Sequence, residues 1–259
     1  MNKILAIAGV VIKELYRRKD FYVLFVLTAL ITLLLGSVNF FHDDRIARYL
    51  KEICLLLIWI SALVIAITTT ARQIPAEREN RTIFPLLAKP VTRAQVITGK
   101  FLGCWLAVGV SLAVFYLFFG VISGSREHAW PVLKYFQALW LQWTMLAVVI
   151  ALVLFGSVLF TSPAENVTIC FFAVLGILLL GGHLNTVALG QKEPAQTMLY
   201  TLYFLIPHLE WFDVRDIIIY DWPRIPWLDC LLATLYAAVY VVVFLFAAWL
   251  VFRRKVLAT

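Results

Sequence analysis

The chain has 259 residues, of which 63% are hydrophobic and 14% are charged, and its mean hydropathy is +0.92. This composition excludes a soluble globular protein and leaves no room for a separate soluble domain, so it indicates a membrane protein. The net charge of +7 would suit nucleic acid, but the basic residues flank apolar segments, which indicates a membrane surface instead.

An amphipathic helix is predicted first, within residues 1–20. Apolar residues recur there at helical spacing on one face: Ile4, Leu5, Ala8, Val11, Ile12 and Leu15. Because the charged residues lie off that face, we expect the helix to lie in the cytoplasmic interface of a membrane. The alternative is a frayed basic tail.

Six long apolar runs follow, and none contains an Asp, Glu, Lys or Arg side chain. Each has roughly the 20 residues that an α-helix needs to cross a bilayer core of about 30 Å. We therefore predict an all-α membrane protein in which residues 1–259 form a single transmembrane domain. The predicted spans cover about residues 21–41, 53–71, 101–123, 138–160, 167–189 and 230–252.

Charged residues lie between the spans, and their distribution predicts the orientation of the chain. With the N-terminus in the cytoplasm, the inner side carries 14 Lys and Arg against 5 Asp and Glu, and the outer side 8 against 10. The positive-inside rule therefore places both termini in the cytoplasm, and we expect a multi-pass protein of the inner (cytoplasmic) membrane. Since the span cores lack the carboxylates and lysines of a proton or ion relay, energy for uphill transport would have to come from outside the chain.

Small residues mark both ends of the third span. Gly99 and Gly103 open it, and Gly120 and Gly124 close it. Glycines at this spacing let helix backbones approach closely. A lined pathway and a dimer contact would explain them equally well.

The longest connection between spans is the outer segment, residues 190–229. Its apolar run at residues 198–207 is too short to cross a bilayer and is typical of a re-entrant or interfacial helix. Pro207 ends that run, and residues 209–220 continue with apolar and charged side chains. We interpret residues 196–220 as two short re-entrant helices that plug the outer, exit side.

The inner loop, residues 72–100, has the pattern of a docking surface. Acidic and basic residues alternate through residues 77–81, an apolar patch follows at residues 83–87, and Pro90 ends it. A short amphipathic helix with an apolar ridge rimmed by charge is typical of a surface that binds a partner protein. The alternative is a helix that lies on the membrane surface without a partner.

The motifs of the inner loop resemble the signature of ABC-2-type permeases, the membrane subunits of type V ABC transporters. The matching residues are Glu77-Arg78-Glu79, Arg81-Thr82, Leu86-Leu87, Pro90-Val91-Thr92-Arg93, Gly99-Lys100 and Gly103. Arg81 stands where the family usually has glycine. The run from Leu205 to Asp213 also resembles the branch near the nitrous-oxide-reductase maturation permease.

This resemblance implies a coupling helix between the second and third spans, seated in a groove of a separate ATP-binding subunit. A pair of permeases, identical or paralogous, would assemble with a pair of these ATPases, which would bind ATP and Mg²⁺, whereas this chain would bind no cofactor. Residues 98–101 are no phosphate loop, because Ala94 and Phe101 replace the glycine and the hydroxyl residue of a Walker A motif. The implied ATPase-coupling residues are Glu77, Arg78, Glu79, Arg81, Thr82, Ile83, Leu86, Leu87, Pro90 and Arg93.

Individual roles follow from the same resemblance. Glu77 and Glu79 would pair with basic residues of the ATPase groove, and Arg93 and Lys100 would grip either anionic lipid headgroups or the partner protein. Polar residues in the spans are candidates for the cargo pathway, although such hydroxyls also satisfy neighbouring helix backbones. The pathway candidates are Thr28, Thr32, Asn39, Ser61, Thr68 and Asn166. The implied outer gate comprises Leu205, Pro207, Glu210 and Phe212.

Three functions remain open from the sequence. The favoured one is an ATP-driven permease that exports its cargo. A complex of the same fold could instead use ATP to move a periplasmic accessory protein, with residues 190–229 as the contact. A membrane enzyme with an outer metal site is disfavoured, because His208 and Glu210 do not share a helix face and Arg215 offers the acidic residues simple pairing. No catalytic residue, metal ligand or nucleic-acid partner is predicted.

Overall fold

The computed structural model of the protein describes residues 3–17, 19–37, 44–80, 91–128, 130–190 and 192–254. These residues form helices joined by turns, with no strand among them, so the predicted all-α class is confirmed for this part of the chain. In chain order the helices are α1 (Lys3–Tyr16), α2 (Lys19–Ser37), α3 (Asp44–Ala71), α4 (Pro75–Glu79), α5 (Arg93–Glu127), α6 (Val132–Leu159), α7 (Pro163–Leu189), α8 (Ala195–Leu205), a 3₁₀ turn (Leu209–Phe212), α9 (Asp216–Ile219) and α10 (Trp227–Arg254).

Five stretches of helix are long and apolar enough to cross a membrane. They are Arg48–Glu79, Arg93–Ser125, Val132–Leu159, Pro163–Leu189 and Trp227–Arg254. α2 corresponds to the first predicted span, but residues 38–41 of that span lie outside the described residues. The full six-span arrangement therefore stays a prediction.

α5 begins well before the apolar run from which it was predicted. The Thr92 hydroxyl accepts a hydrogen bond from the Gln95 backbone N–H at 3.3 Å, and the Gln95 side chain accepts one from the Thr92 N–H at 3.1 Å. This reciprocal capping box satisfies N–H groups that the start of a helix leaves free. The helix consequently starts at Arg93, ahead of the apolar run, and it carries the end of the inner loop directly into the span.

α6 forms the centre of the bundle. It packs against α3, α5, α7 and α10. Of its most apolar stretch 72% is buried, against 22% for α7 and 17% for α10. α7 and α10 therefore turn most of their apolar surface outward, where lipid or another protein would cover it.

Two tryptophans join α5 to α6. The indole N–H of Trp105 donates to the Trp143 carbonyl at 3.1 Å, the indole N–H of Trp143 donates to the Trp105 carbonyl at 3.0 Å, and the two rings stack with centroids 4.4 Å apart. Gly109 leaves room for this arrangement, because a Cβ there would lie 2.4 Å from Trp143 Nε1. The pair satisfies both indole donors inside the bundle and sets the register of the two helices.

α1 packs along the first turns of α5. Its contact surface there includes Gly99 and Gly103, the glycine pair that opens the third span. A Cβ at Gly99 would lie 2.9 Å from Ile7 Cβ, and a Cβ at Gly103 would lie 2.7 Å from Val11 Cβ. The interpretation of these two glycines as a pathway lining or a dimer contact is therefore wrong. They admit a helix of the same chain, since only glycine allows backbones to come this close.

The amphipathic character predicted for α1 is present. Ala8, Val11 and Leu15 are buried, whereas Leu5, assigned to the same face from the sequence, is 60% exposed. The buried face packs on α5, so protein contact and not lipid alone orients this helix. Its position at a membrane interface stays a prediction.

The outer segment contains three short pieces rather than the two helices predicted for residues 196–220. α8 ends at Leu205, ahead of Pro207, and the expected second helix is divided into the 3₁₀ turn and α9. The Asp213 carboxylate separates them, because it accepts hydrogen bonds from the Arg215 backbone N–H at 3.5 Å and from the Arg215 guanidinium at 2.7 Å. Such local side-chain bonds compete with helix formation.

Candidate functional site

The candidate site is the described part of the inner loop, residues 72–80 and 91–100, together with the helices that hold it. α4 follows α3 after a turn at residues 72–74, and it carries Glu77, Arg78 and Glu79. Six of the predicted coupling residues lie outside the described residues: Arg81, Thr82, Ile83, Leu86, Leu87 and Pro90. Their roles stay predictions.

Lys100 is the central side chain of the site. It lies in the second turn of α5 and is only 2% exposed. Its ammonium donates to the Gln73 carbonyl at 2.8 Å, to Gln73 Oε1 at 3.3 Å and to Glu77 Oε1 at 2.7 Å. An ammonium has three N–H donors, so all of them have an acceptor. This set of contacts joins the end of α3 and the start of α4 to α5.

The structure changes two of the assigned roles. Lys100 cannot grip lipid headgroups from this position, because its side chain is buried beneath α4. Glu77 forms an ion pair with Lys100 inside the same chain, and 30% of the Glu77 side chain remains exposed. A carboxylate already engaged in this way is a poor candidate for the main contact with a partner. The sequence could not have shown this pairing, because α4 and α5 are separated by the apolar patch.

Arg93 also has a role within the chain. Its guanidinium donates to the Phe252 carbonyl and to the Arg253 carbonyl, the latter at 2.9 Å, and lies 5.4 Å from the centre of the Phe252 ring. These carbonyls belong to the last turn of α10, where a helix has free acceptors and attracts positive charge. Arg93 thus ties the end of α10 to the start of α5.

The remaining two charges of α4 differ in exposure. The Arg78 side chain is partly buried, and its Nε and Nη2 have no hydrogen-bond partner among the described residues. Glu79 is exposed at the end of the helix. Glu79 is therefore the acidic group that α4 presents to the surroundings.

The predicted pathway residues that the structure describes form hydrogen bonds within the helix bundle, and their role in a pathway stays a prediction. Thr28 and Ser61 are buried and joined by a hydroxyl–hydroxyl bond of 3.0 Å between α2 and α3. Thr32 and Thr68 donate to the carbonyls one turn before them, at 2.8 Å each. Hydroxyls in membrane helices commonly donate to backbone carbonyls in the way that Thr32 and Thr68 do. Asn39 lies outside the described residues.

Asn166 joins three helices. It is fully buried in α7, and its amide donates to the Ala71 carbonyl of α3 at 3.0 Å and to the Val153 carbonyl of α6 at 3.4 Å. Its oxygen accepts a hydrogen bond from the Cys170 thiol at 3.1 Å. Asn166 therefore lies in a packed contact and not on an open surface in this conformation.

The four residues of the predicted outer gate lie in different environments. Leu205, at the end of α8, is 72% exposed, whereas Pro207 is buried and Phe212 is 1% exposed. The Glu210 carboxylate lies against α7, where a Cβ at Gly181 would come within 2.6 Å of its Oε2. Pro207, Glu210 and Phe212 are thus packed where this segment meets the bundle, and Leu205 is not part of that contact.

His208 completes the packing of this segment, whereas the sequence placed it in the run that resembles the family branch and in the disfavoured metal site. Its ring and its backbone N–H both bond the Tyr236 hydroxyl of α10, at 3.0 Å each, and it stacks on Trp211 with centroids 4.7 Å apart. No group of three or more metal-binding side chains occurs among the residues that the structure describes. In the sequence, the features that could have indicated this contact are the aromatic residues Trp211 and Tyr236.

The predicted pairing of Arg215 with an acidic neighbour is confirmed. Its guanidinium contacts the Asp213 carboxylate at 2.7 Å. Burial lowers the pKa of Arg215, but the hydrogen bonds and charge of Asp213 outweigh burial, so the pKa lies above its ordinary value. Asp213 is therefore occupied by a structural ion pair.

A family model described as ABC-2 family transporter protein matches residues 6–257. No curated protein matches the chain.

Proposed function

The chain belongs to the ABC-2 family of transporter proteins, which makes it the permease subunit of an ABC transporter, and we propose that it exports its cargo when an ATP-binding subunit acts on its inner loop. The family implies association with such a subunit. The span cores carry no charged relay, which is consistent with energy supplied by a partner.

The observation that carries the proposed docking is the way the inner loop is held. α4 lies directly after a helix that is apolar enough to cross a membrane, and Lys100 anchors it to α5, the next such helix. Glu79 remains exposed at its tip, immediately before the apolar patch of residues 83–87. A charged rim beside an apolar patch suits a protein interface.

The proposed assembly contains a pair of permeases and a pair of ATPases. Both permease termini would be cytoplasmic, in the inner membrane, and ATP with Mg²⁺ would be bound by the partner. The outward apolar faces of α7 and α10 offer surface for lipid and for the second permease, identical or paralogous.

Force transmission to a periplasmic protein is a second candidate function. The observation in its favour is that the described pathway candidates bond to helix backbones or to one another and lie in packed contacts. A transport pathway needs polar groups that are available to cargo, whereas force transmission needs only rigid spans.

The docking proposal can be tested with the variants Glu79→Lys and Leu87→Lys. Each should abolish co-purification of the ATP-binding subunit. Lysine would replace an acidic side chain in the first variant and an apolar side chain in the second, and neither replacement would fit the proposed interface. Glu193→Lys, a matched reversal at an exposed residue of the outer segment, should bind the ATPase as the wild type does. Normal co-purification with both inner-loop variants would refute the docking site.

A further inference from the structure

A buried ammonium at the edge of a membrane bundle is unusual and requires a reason. Taking Lys100 out of water costs several kcal/mol. Its contacts to Gln73 and Glu77 offset that cost only while the end of α3, the start of α4 and α5 keep their positions. Buried ion pairs are weak contributors to stability, since apolar residues of the same volume often serve as well. Such a pair does fix the position of one helix relative to another, here α4 relative to α5.

The first turns of α5 are held on two other sides as well. Gly99 and Gly103 seat α1 so closely that a Cβ at either would overlap it. Arg93 bonds the last carbonyls of α10. Residues 93–103 therefore move together with α1 and with the end of α10, since close packing transmits displacement rather than absorbing it.

We propose that the Lys100–Glu77 pair is the link that transmits movement of the inner loop to the transmembrane bundle. The inference rests on the proposed function, because it assumes an ATPase that displaces residues 81–90. Displacement of α4 pulls on Lys100, and Lys100 carries α5, α1 and the end of α10 with it. Lys100 is a positioning residue: it does not touch the ATPase, nucleotide or cargo.

The two residues of the pair lie on either side of the apolar patch in the sequence. Glu77 lies on the short helix that leads into the apolar patch, and Lys100 lies one turn inside the span that follows. The bond from Lys100 joins a side chain of α4 directly to α5. Without such a bond the docking surface could move while the span stayed in place.

The test uses a double variant that removes both charges, Glu77→Met with Lys100→Met. Replacing both partners by apolar residues avoids leaving a lone buried charge, so the protein should fold and insert. A matched control, Lys192→Met with Glu193→Met, removes an exposed Lys and Glu from the outer segment. Each permease is purified with its ATPase in lipid nanodiscs.

The readout is hydrogen exchange across the whole permease, with and without ATP and vanadate. In the wild type and in the control, nucleotide should change exchange both in residues 72–92 and in residues 206–226. The Glu77→Met/Lys100→Met variant is compared with the wild type in preparations that contain the same amount of ATPase per permease. The nucleotide response should persist in residues 72–92 but fall at least about fivefold in residues 206–226.

A wild-type response in the outer residues of the double variant would overturn the inference and leave the proposed function intact. A wild-type response confined to residues 72–92 would also overturn it. If no ATPase co-purifies with the wild-type permease, the proposed function itself fails, and the two failures are thereby distinguished.

Discussion

Close contacts between single residues decide how the helices of this permease meet. Glycine at position 103 lets α1 approach α5, and glycine at position 109 makes room for the paired indoles of Trp105 and Trp143. At each position the neighbouring atoms would overlap a Cβ, and at Gly103 they include the backbone of Ala8. Backbone cannot rotate away as a side chain can, so the space at Gly103 is strictly limited.

Gly103→Ala should therefore displace α1. The added methyl would lie 2.9 Å from the Ala8 carbonyl oxygen, and overpacking of this kind costs about 1–3 kcal/mol. We expect a lower thermal midpoint in detergent and faster hydrogen exchange in residues 3–16. Gly176→Ala is the matched control, because a Cβ in the middle of α7 meets nothing within 4 Å. A midpoint for Gly103→Ala equal to that of the control would contradict the seat assigned to α1.

At the scale of whole elements, burial separates the two parts of the outer segment. Leu209, Phe212 and Ile217–Ile219 are buried against the bundle, whereas α8 has no buried residue and exposes Met198 and Phe204 by 74% each. An apolar helix that packs so little in water would be unstable, so its exposed face requires lipid or a protein partner. This distribution fits a segment that dips into a membrane without crossing it.

Single cysteines at Gln196 and Asp221 test that topology. The four native cysteines are all buried, so a water-soluble maleimide should label the introduced ones selectively. If α8 re-enters without crossing, both positions should react from the same, outer side of the membrane in intact cells. Reaction from opposite sides would mean that residues 196–221 cross the membrane, and the six-span prediction would then fall.

The whole molecule is a bundle whose membrane helices contain no charged relay in their apolar cores. The ion-pairing and capping side chains described above lie outside those cores: Lys100, Glu77 and Arg93 at the inner loop, and Arg215 with Asp213 in the outer segment. Charges at both ends of a rigid bundle suit a gate that is moved from one side and responds on the other.

The isolated permease should accordingly transport nothing against a gradient. The apolar cores of its spans lack the Asp, Glu, Lys and Arg side chains that could couple a proton or sodium gradient to cargo movement when it is reconstituted alone in vesicles. We expect no accumulation of any candidate cargo when an ion gradient is imposed, and accumulation or release only with the ATPase and ATP. Uphill transport by the permease alone, measured with the same cargo, would be incompatible with this mechanism.

The sequence by itself determined the all-α class, the apolar helices and the family. These follow from hydrophobic runs of membrane length and from local motifs, which need no knowledge of neighbours in space. Helical spacing also placed Ala8, Val11 and Leu15 correctly on one face of α1. Only the tertiary structure decided which surfaces meet, as in the seating of α1 on Gly99 and Gly103 and the pairing of Glu77 with Lys100. A helical period specifies the face on which a residue lies, but not which helix packs there, because many pairs of apolar faces are compatible with the same pattern.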